Sequence, residues 1–269
     1  METLLMRELT GQTRVLGILA DPIAQVKAPQ LINRIAAERG VDAVMVPFHV
    51  SAEDLPKLVA GLHVLQSFDG AIVTVPHKTS MIAHCDHLSD RAAAVGAVNV
   101  IRREADGRLF GDALDGIGFL AGLRASGIEV AGREIYLAGA GGAANAIAFA
   151  LAESGARGLT IANRTRSKAN DLVSRLMAHF PLLPVRIGTR DPSGHDIIVN
   201  GTSLGMKPDD SLPLDVEKLA SSMVVCEVVM EPEETALLAA ARRQGCRIHL
   251  GTPMLMNQVE LMADFFRVR

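Results

Sequence analysis

The sequence predicts an α/β protein built as two successive units, each a mostly parallel sheet covered by helices. Three observations carry this. Apolar runs of strand length alternate with amphipathic runs of helix length along most of the chain. A glycine-rich turn, Gly139-Ala140-Gly141-Gly142-Ala143-Ala144, stands between one such strand and one such helix. The chain has 269 residues, enough for two modest cores.

Val15 to Leu19 reads as the first strand, ending in a turn at Asp21-Pro22. Pro29 suits the first turn of a helix, with Leu31, Ile32, Ile35 and Ala36 on one face and Gly40 as its stop. Ala43 to Val50 is a second strand. Ser51 with Asp54 then caps a helix carrying Leu55, Leu58, Val59 and Leu62. Gly70 to Val75 is a third strand, stopped by Pro76. After a polar break from Arg103 to Gly107, Gly111-Asp112-Ala113-Leu114-Asp115-Gly116 leads into a helix from Ile117 to Arg124. The two units join near Asp115.

The second unit opens with the strand Ile135 to Ala138 and the glycine turn. Gly139 makes the tight turn, Gly141 admits a phosphate close to the backbone, and Ala144 is small enough for helix and strand to pack. Ala143, Ile147, Ala150 and Leu151 share one face of the helix that follows, which stops before Gly155. Strand, glycine turn and helix together bring free N–H groups to a pyrophosphate. The next strand, Leu159 to Ala162, ends at Asn163-Arg164-Thr165, about 20 residues beyond the glycines, where such a unit reads the adenosine ribose. No acid stands there to accept the two ribose hydroxyls. Arg164 can pair bidentately with a 2′-phosphate, so NADP is preferred over NAD. Further strands fall near Pro184 to Ile187, Asp196 to Asn200, Val224 to Val228 and Arg247 to Leu250. A C-terminal helix, Leu255 to Phe266, is expected to return to the first unit.

Composition narrows the function classes. The chain is 49% hydrophobic and 21% charged, with a net charge of −3, no Trp and one Tyr. These values fit a globular protein and give no platform for nucleic acid. The longest uncharged stretch, Ile135 to Ala152, approaches membrane-spanning length, but its glycines and Asn145 favour strand, turn and helix. Glu2, Arg7 and Glu8 leave no room for a signal-peptide core. Cys85, Cys226 and Cys246 are far apart and odd in number, which suits reduced thiols in the cytoplasm. Monomer and homodimer both stay open.

Chemistry in α/β folds sits at strand ends and turns. Four positions qualify: Lys78 in Thr74-Val75-Pro76-His77-Lys78, Asn99 in Gly96-Ala97-Val98-Asn99, Asp115 in its glycine-flanked turn, and Gln258. Lys78 is a candidate acid–base group, although an ordinary surface lysine would have the same local sequence. His84-Cys85-Asp86-His87 lacks a second ligand pair, and neighbouring side chains point apart, so no metal is expected.

Taken in order, Thr74-Val75-Pro76-His77-Lys78, Gly96-Ala97-Val98-Asn99, Asp112-x-x-Asp115-Gly116, Gly139-Ala140-Gly141-Gly142-Ala143, Asn163-Arg164-Thr165 and Asn200-Gly201-Thr202-Ser203-Leu204-Gly205-Met206 resemble the motif series of the shikimate dehydrogenases, from Asp21-Pro22-Ile23 to Gln258. The resemblance implies a substrate domain over residues 1–115, completed by 251–269, and a Rossmann-type dinucleotide-binding domain over 116–250, with the active site in the cleft. It implies that Lys78 and Asp115 are the catalytic pair and that Asn99, Asp115 and Gln258 hold ring hydroxyls, with Thr74 beside them. Gly139 to Ala143, Asn163 to Thr165, Thr202 and Gly251 would line the cofactor. The expected reaction is reversible hydride transfer between NADP or NAD and a ring hydroxyl of shikimate, quinate or a related cyclic polyol. The rival reading is a nucleotide-binding sensor or regulatory protein without turnover.

The chain departs from the family pattern on the substrate side. Two serines that hold the substrate carboxylate in the family are replaced by Val26 and Ala28, with Lys27 between them and Pro29 kept. Ile72 stands for an asparagine, Ala113-Leu114 for Asn-Thr, and Met230 for a tyrosine. Losing two donors to a charged group costs about 1.5–3 kcal/mol each. Shikimate is therefore expected to be a poor substrate unless Lys27 or Gln25 supplies a substitute anchor.

Overall fold

The structure, a computed structural model, describes residues 8–269. Glu2 and Arg7, used above in reading the N-terminus, lie outside the described residues. No helix among the described residues is long and apolar enough to cross a membrane.

The first sheet is built from β1 (Arg14–Ala20), β2 (Ala43–His49), β3 (Phe68–Val73), β4 (His87–Leu88), β5 (Val100–Arg103) and β6 (Leu109–Asp112), in the order β2-β1-β3-β5-β6-β4. β1 runs parallel to β2 and β3, β4 runs parallel to β6, and β5 is antiparallel to both its neighbours. The helices α1 (Ala28–Glu38), α2 (Leu55–Val64) and α3 (Asp90–Val95) lie between these strands in the chain. Ile32, Ile35 and Ala36 of α1 are buried as their spacing requires. Val59 and Leu62 of α2 are buried likewise.

From α4 (Asp115–Ala125) the chain enters a second sheet: β7 (Glu134–Ala138), β8 (Gly158–Ala162), β9 (Val185–Ile187), β10 (Ile197–Asn200), β11 (Val224–Glu227) and β12 (Arg247–His249). Its order is β12-β11-β10-β7-β8-β9, and every pairing is parallel. This is doubly wound topology, with the strand order reversing between β7 and β10, the place where such sheets bind ligands. The helices α5 (Gly142–Glu153), α6 (Arg166–His179) and α7 (Ala236–Arg243) connect its strands. The expected α/β class with a Rossmann-type second unit is borne out.

Several boundaries differ from the sequence reading. β3 stops at Val73, two residues short of the expected end, because the chain turns out at Thr74 toward Val75-Pro76. Ser51 Oγ accepts from the Asp54 N–H at 3.1 Å, yet α2 begins at Leu55 and has no side-chain cap. The polar break from Arg103 to Gly107 is the turn of the β5–β6 hairpin, with Gly107 at φ 87°. The expected single C-terminal helix is two, α8 (Thr252–Met256) and α9 (Val259–Phe265). At the break, the Asn257 side chain donates to the Pro253 carbonyl at 2.8 Å, a local bond that competes with helix continuation.

One core runs through both halves, joining Leu19, Phe68 and Val73 to Ile135, Leu137 and Leu159 through Phe119 and Leu123 of α4. The C-terminal segment packs back on the first sheet: Phe266 and Val268 lie among Leu16, Ile18 and Ile32, and Arg39 donates to the Val268 carbonyl at 2.6 Å. Glycines of α4 make the junction close. A methyl group on Gly116 would overlap the Ala146 carbonyl of α5, and one on Gly118 would lie 2.6 Å from the Met254 carbonyl and 2.8 Å from Gln258 Cβ.

Candidate active site

A cleft of about 770 Å³ opens between the two sheets, and every candidate residue named from the sequence lines it. Four chain segments bring the polar cluster together. Lys78 sits in the turn after β3, Asn99 just before β5, Asp115 at the first residue of α4, and Gln258 between α8 and α9. Lys78 Nζ lies 2.5 Å from Asp115 Oδ2, with the side chains 13% and 5% exposed. Asn99 Nδ2 donates to Asp115 Oδ1 at 3.0 Å and toward Gln258 Oε1 at 3.4 Å, while Asn99 Oδ1 accepts from the Leu114 N–H at 2.7 Å. Both Asp115 oxygens are thus held, at the first residue of α4.

The turn that carries Asn99 is braced from the other half. Arg175 of α6 donates to the carbonyls of Val95 and, at 3.2 Å, of Ala94, so it satisfies the last carbonyls of α3 across the junction. Gly96 follows at φ 67°, and a side chain there would strike the guanidinium.

The far end of the cleft fits a dinucleotide. Gly139 has φ 119°, and a Cβ there would lie 2.9 Å from the Gly201 carbonyl, so the tight turn requires glycine. Gly141 faces open space. The first turn of α5 has no side-chain cap, which leaves N–H groups for a phosphate. Arg164 and Thr165 are exposed after β8, and neither Arg164 nor Lys168 of α6 makes an ion pair among the described residues. Lys168 was missed in the sequence reading. Its signal was a second cation four residues after Arg164, in the first turn of α6, and both line the cleft.

Not every nominated side chain turns to the ligand space. Asn163 Nδ2 donates to the Thr165 carbonyl at 2.8 Å, and Thr202 Oγ1 donates to Asn200 Oδ1 at 2.6 Å. Asn200 leads to a hub the sequence reading did not name. Glu227, fully buried at the end of β11, accepts from Asn200 Nδ2, from Thr235 Oγ1 at 2.9 Å, and from the N–H groups of Val228 and Val229. Burial raises its carboxyl above the usual range. The loops that follow β10 and β11 are tied to this one side chain, and both line the cleft. Gly251 is buried, and a Cβ there would overlap the Val229 carbonyl.

At the substrate end, Val26 is half-buried and Ala28 buried, with Ile72 and Met230 beside them in the lining. Gln25 Nε2 is spent on the Pro22 carbonyl at 2.6 Å, and Lys27 Nζ lies 3.0 Å from Glu231 Oε2.

Residues 18–101 match the family model for the shikimate dehydrogenase substrate binding domain, and residues 122–203 match that for shikimate / quinate 5-dehydrogenase. A protein of Rubrobacter xylanophilus named shikimate dehydrogenase (NADP(+)) is 40% identical over 254 residues, spanning 93% of this chain and 89% of the relative. The chain belongs to the shikimate dehydrogenase family. Shikimate dehydrogenase of Aquifex aeolicus has a similar structure, with a TM-score of 0.85 at 30% identity over 96% of this chain and 94% of that one. So has 5-ketofructose reductase of a Gluconobacter strain, with a TM-score of 0.80 at 30% identity over 96% and 94%. Membership in the shikimate dehydrogenase family bears out the motif resemblance and the expected class, an oxidoreductase acting on CH–OH groups. The expected nicotinamide cofactor, with NADP preferred, agrees with the name of the Rubrobacter relative.

Proposed function

We propose that this chain catalyses reversible, NADP-dependent hydride transfer at a ring hydroxyl of shikimate, quinate or a related cyclic polyol, and that shikimate itself is a poor substrate. The observation that carries the reading is the contact between Lys78 and Asp115, joined by Asn99 and Gln258, in the cleft that the glycine turn also lines. A sensor without turnover has no use for a lysine and an aspartate held together in this way.

NADP, when bound, supplies or accepts the hydride. Gly139 to Ala143 and the α5 N-terminus would hold its pyrophosphate, and Arg164 with Lys168 its 2′-phosphate. In the reduction direction the Lys78 ammonium gives a proton from Nζ to the carbinol oxygen, and in oxidation neutral Nζ takes it back. Asp115 fixes the lysine, while Asn99 and Gln258 orient neighbouring hydroxyls. The apolar surfaces of Val26 and Ala28 leave a substrate carboxylate without donors, which penalises it on burial. The 5-ketofructose reductase relative is named for a substrate with no carboxylic acid, which supports a shift of specificity away from acids. Free cysteines fit a cytoplasmic site of action.

The test is a nicotinamide absorbance assay with NADP and NAD over shikimate, quinate and uncharged cyclic and open-chain polyols. The reading expects turnover of at least one polyol with NADP, and a higher Michaelis constant for shikimate than for an uncharged substrate. No turnover across the panel would favour the sensor instead.

A further inference from the structure

We infer that Glu231 is a specificity-determining residue: by holding Lys27 it withdraws the cation that stands between the two missing anchor positions, and it sets its own negative charge at the mouth of the cleft. The inference rests on the proposed reading of this cleft as a polyol site and adds the group that excludes acids.

Lys27 stands between the two anchor positions, Val26 and Ala28, in the turn before α1. A lysine there is well placed to meet a substrate carboxylate as a point charge. Its Nζ is instead 3.0 Å from Glu231 Oε2, and both residues line the cleft. Glu231 follows β11, so the pair reaches across the cleft from one half of the molecule to the other. Gln25, the other long polar side chain of the turn, donates to the Pro22 carbonyl. The neighbouring lining residues Met230, Leu255 and Met262 are apolar. Deeper in, Lys78 is matched by Asp115. Among the described residues, the substrate end thus holds two cations and two anions in pairs, and it offers an entering carboxylate no free positive charge.

The pair is exposed, with side chains 43% and 62% accessible, so it contributes little to stability and can be altered without unfolding the protein. The same exposure keeps Glu231 in the path of an entering ligand and makes the effect sensitive to salt.

The experiment measures shikimate binding by titration calorimetry to the full chain saturated with NADP, with an uncharged cyclic polyol as the second probe. Glu231→Gln should bind shikimate about three- to tenfold more tightly than the native protein, at low ionic strength, with the uncharged probe unchanged. The gain should shrink at about 0.5 M salt. It should disappear in the double variant Lys27→Met with Glu231→Gln. Unchanged shikimate affinity in Glu231→Gln, undetectable binding, an equal shift for both probes, or a gain that survives loss of Lys27 would each overturn the inference. Because binding is read without turnover, a native enzyme inactive on every polyol would defeat the proposed function while leaving this result to be judged by itself.

Discussion

The two ends of the cleft treat charge in opposite ways. At the cofactor end, Arg164 and Lys168 stand without ion-pair partners among the described residues, and the α5 N-terminus adds uncapped N–H groups. At the substrate end each cation is matched, Lys78 by Asp115 and Lys27 by Glu231. The first arrangement attracts a polyanion. Under the proposed function, the second leaves a charge-balanced surface for reading hydroxyls around the lysine that would exchange a proton. On that reading a single cleft would hold a highly charged cofactor and discriminate against a charged substrate, since screened charges act mainly over short range.

The comparison breaks most sharply at Lys78. Lys78→Ala should lower kcat by about 10²–10⁴-fold and leave NADP affinity nearly unchanged. Steady-state kinetics beside a nucleotide titration checks this, and a matching loss of NADP affinity would mean that the two ends are not separable. At the other end, Arg164→Ala with Lys168→Ala should weaken NADP by about 10–100-fold while NAD binding stays within about twofold. An equal loss for both nucleotides would show that these cations do not read the 2′-phosphate.

A smaller effect is expected on restoring the anchor. Val26→Ser with Ala28→Ser should lower the Michaelis constant for shikimate by about tenfold, non-additively, because both hydroxyls would grip one group. An unchanged constant would mean that these positions do not face the carboxylate. The smallest effect concerns acid. Burial holds the imidazoles of His77 and His249 below their usual value. Each lies just before a segment of the substrate end. A lowered value in the folded state gives stability that is full above about pH 6.5 and is lost as pH falls toward the folded value. His249→Leu should therefore flatten the decline of Tm between pH 7 and pH 5 by about 1–3 °C. Parallel curves for native and variant proteins would assign the decline to other groups.

The cofactor end was the more legible in the sequence, because strand, glycine turn, helix and strand follow one another within some thirty residues and each signal is local. The substrate end assembles from distant segments. Lys78, Asn99, Asp115 and Gln258 could be nominated one by one, from strand ends and from the family motifs, yet their mutual contacts are long-range. Lys27 and Glu231 lie 204 positions apart and share no pattern at all. The β5–β6 hairpin was hidden by its polar residues. Arg102 puts a charge within β5, but its guanidinium lies 5.4 Å from the Phe110 ring and 4.8 Å from that of Phe265, so stacking buries a charge that alternation rules count as solvent-facing. The C-terminal helix looked continuous because the apolar spacing continues through Asn257, whose side-chain bond to the backbone does not alter that spacing.

Gly142 carries a consequence for how this molecule can be taken apart and rebuilt. A Cβ there would sit 2.5 Å from the Lys78 Cβ and 3.4 Å from the Ala97 Cβ. Its bareness is thus demanded by the opposite half of the protein, although it stands in the nucleotide turn. The two halves are not interchangeable modules with a neutral seam. A chimera that joined this N-terminal half to another dinucleotide unit would have to keep glycine at this position, whatever its own turn prefers, or the incoming side chain would push the lysine off its aspartate.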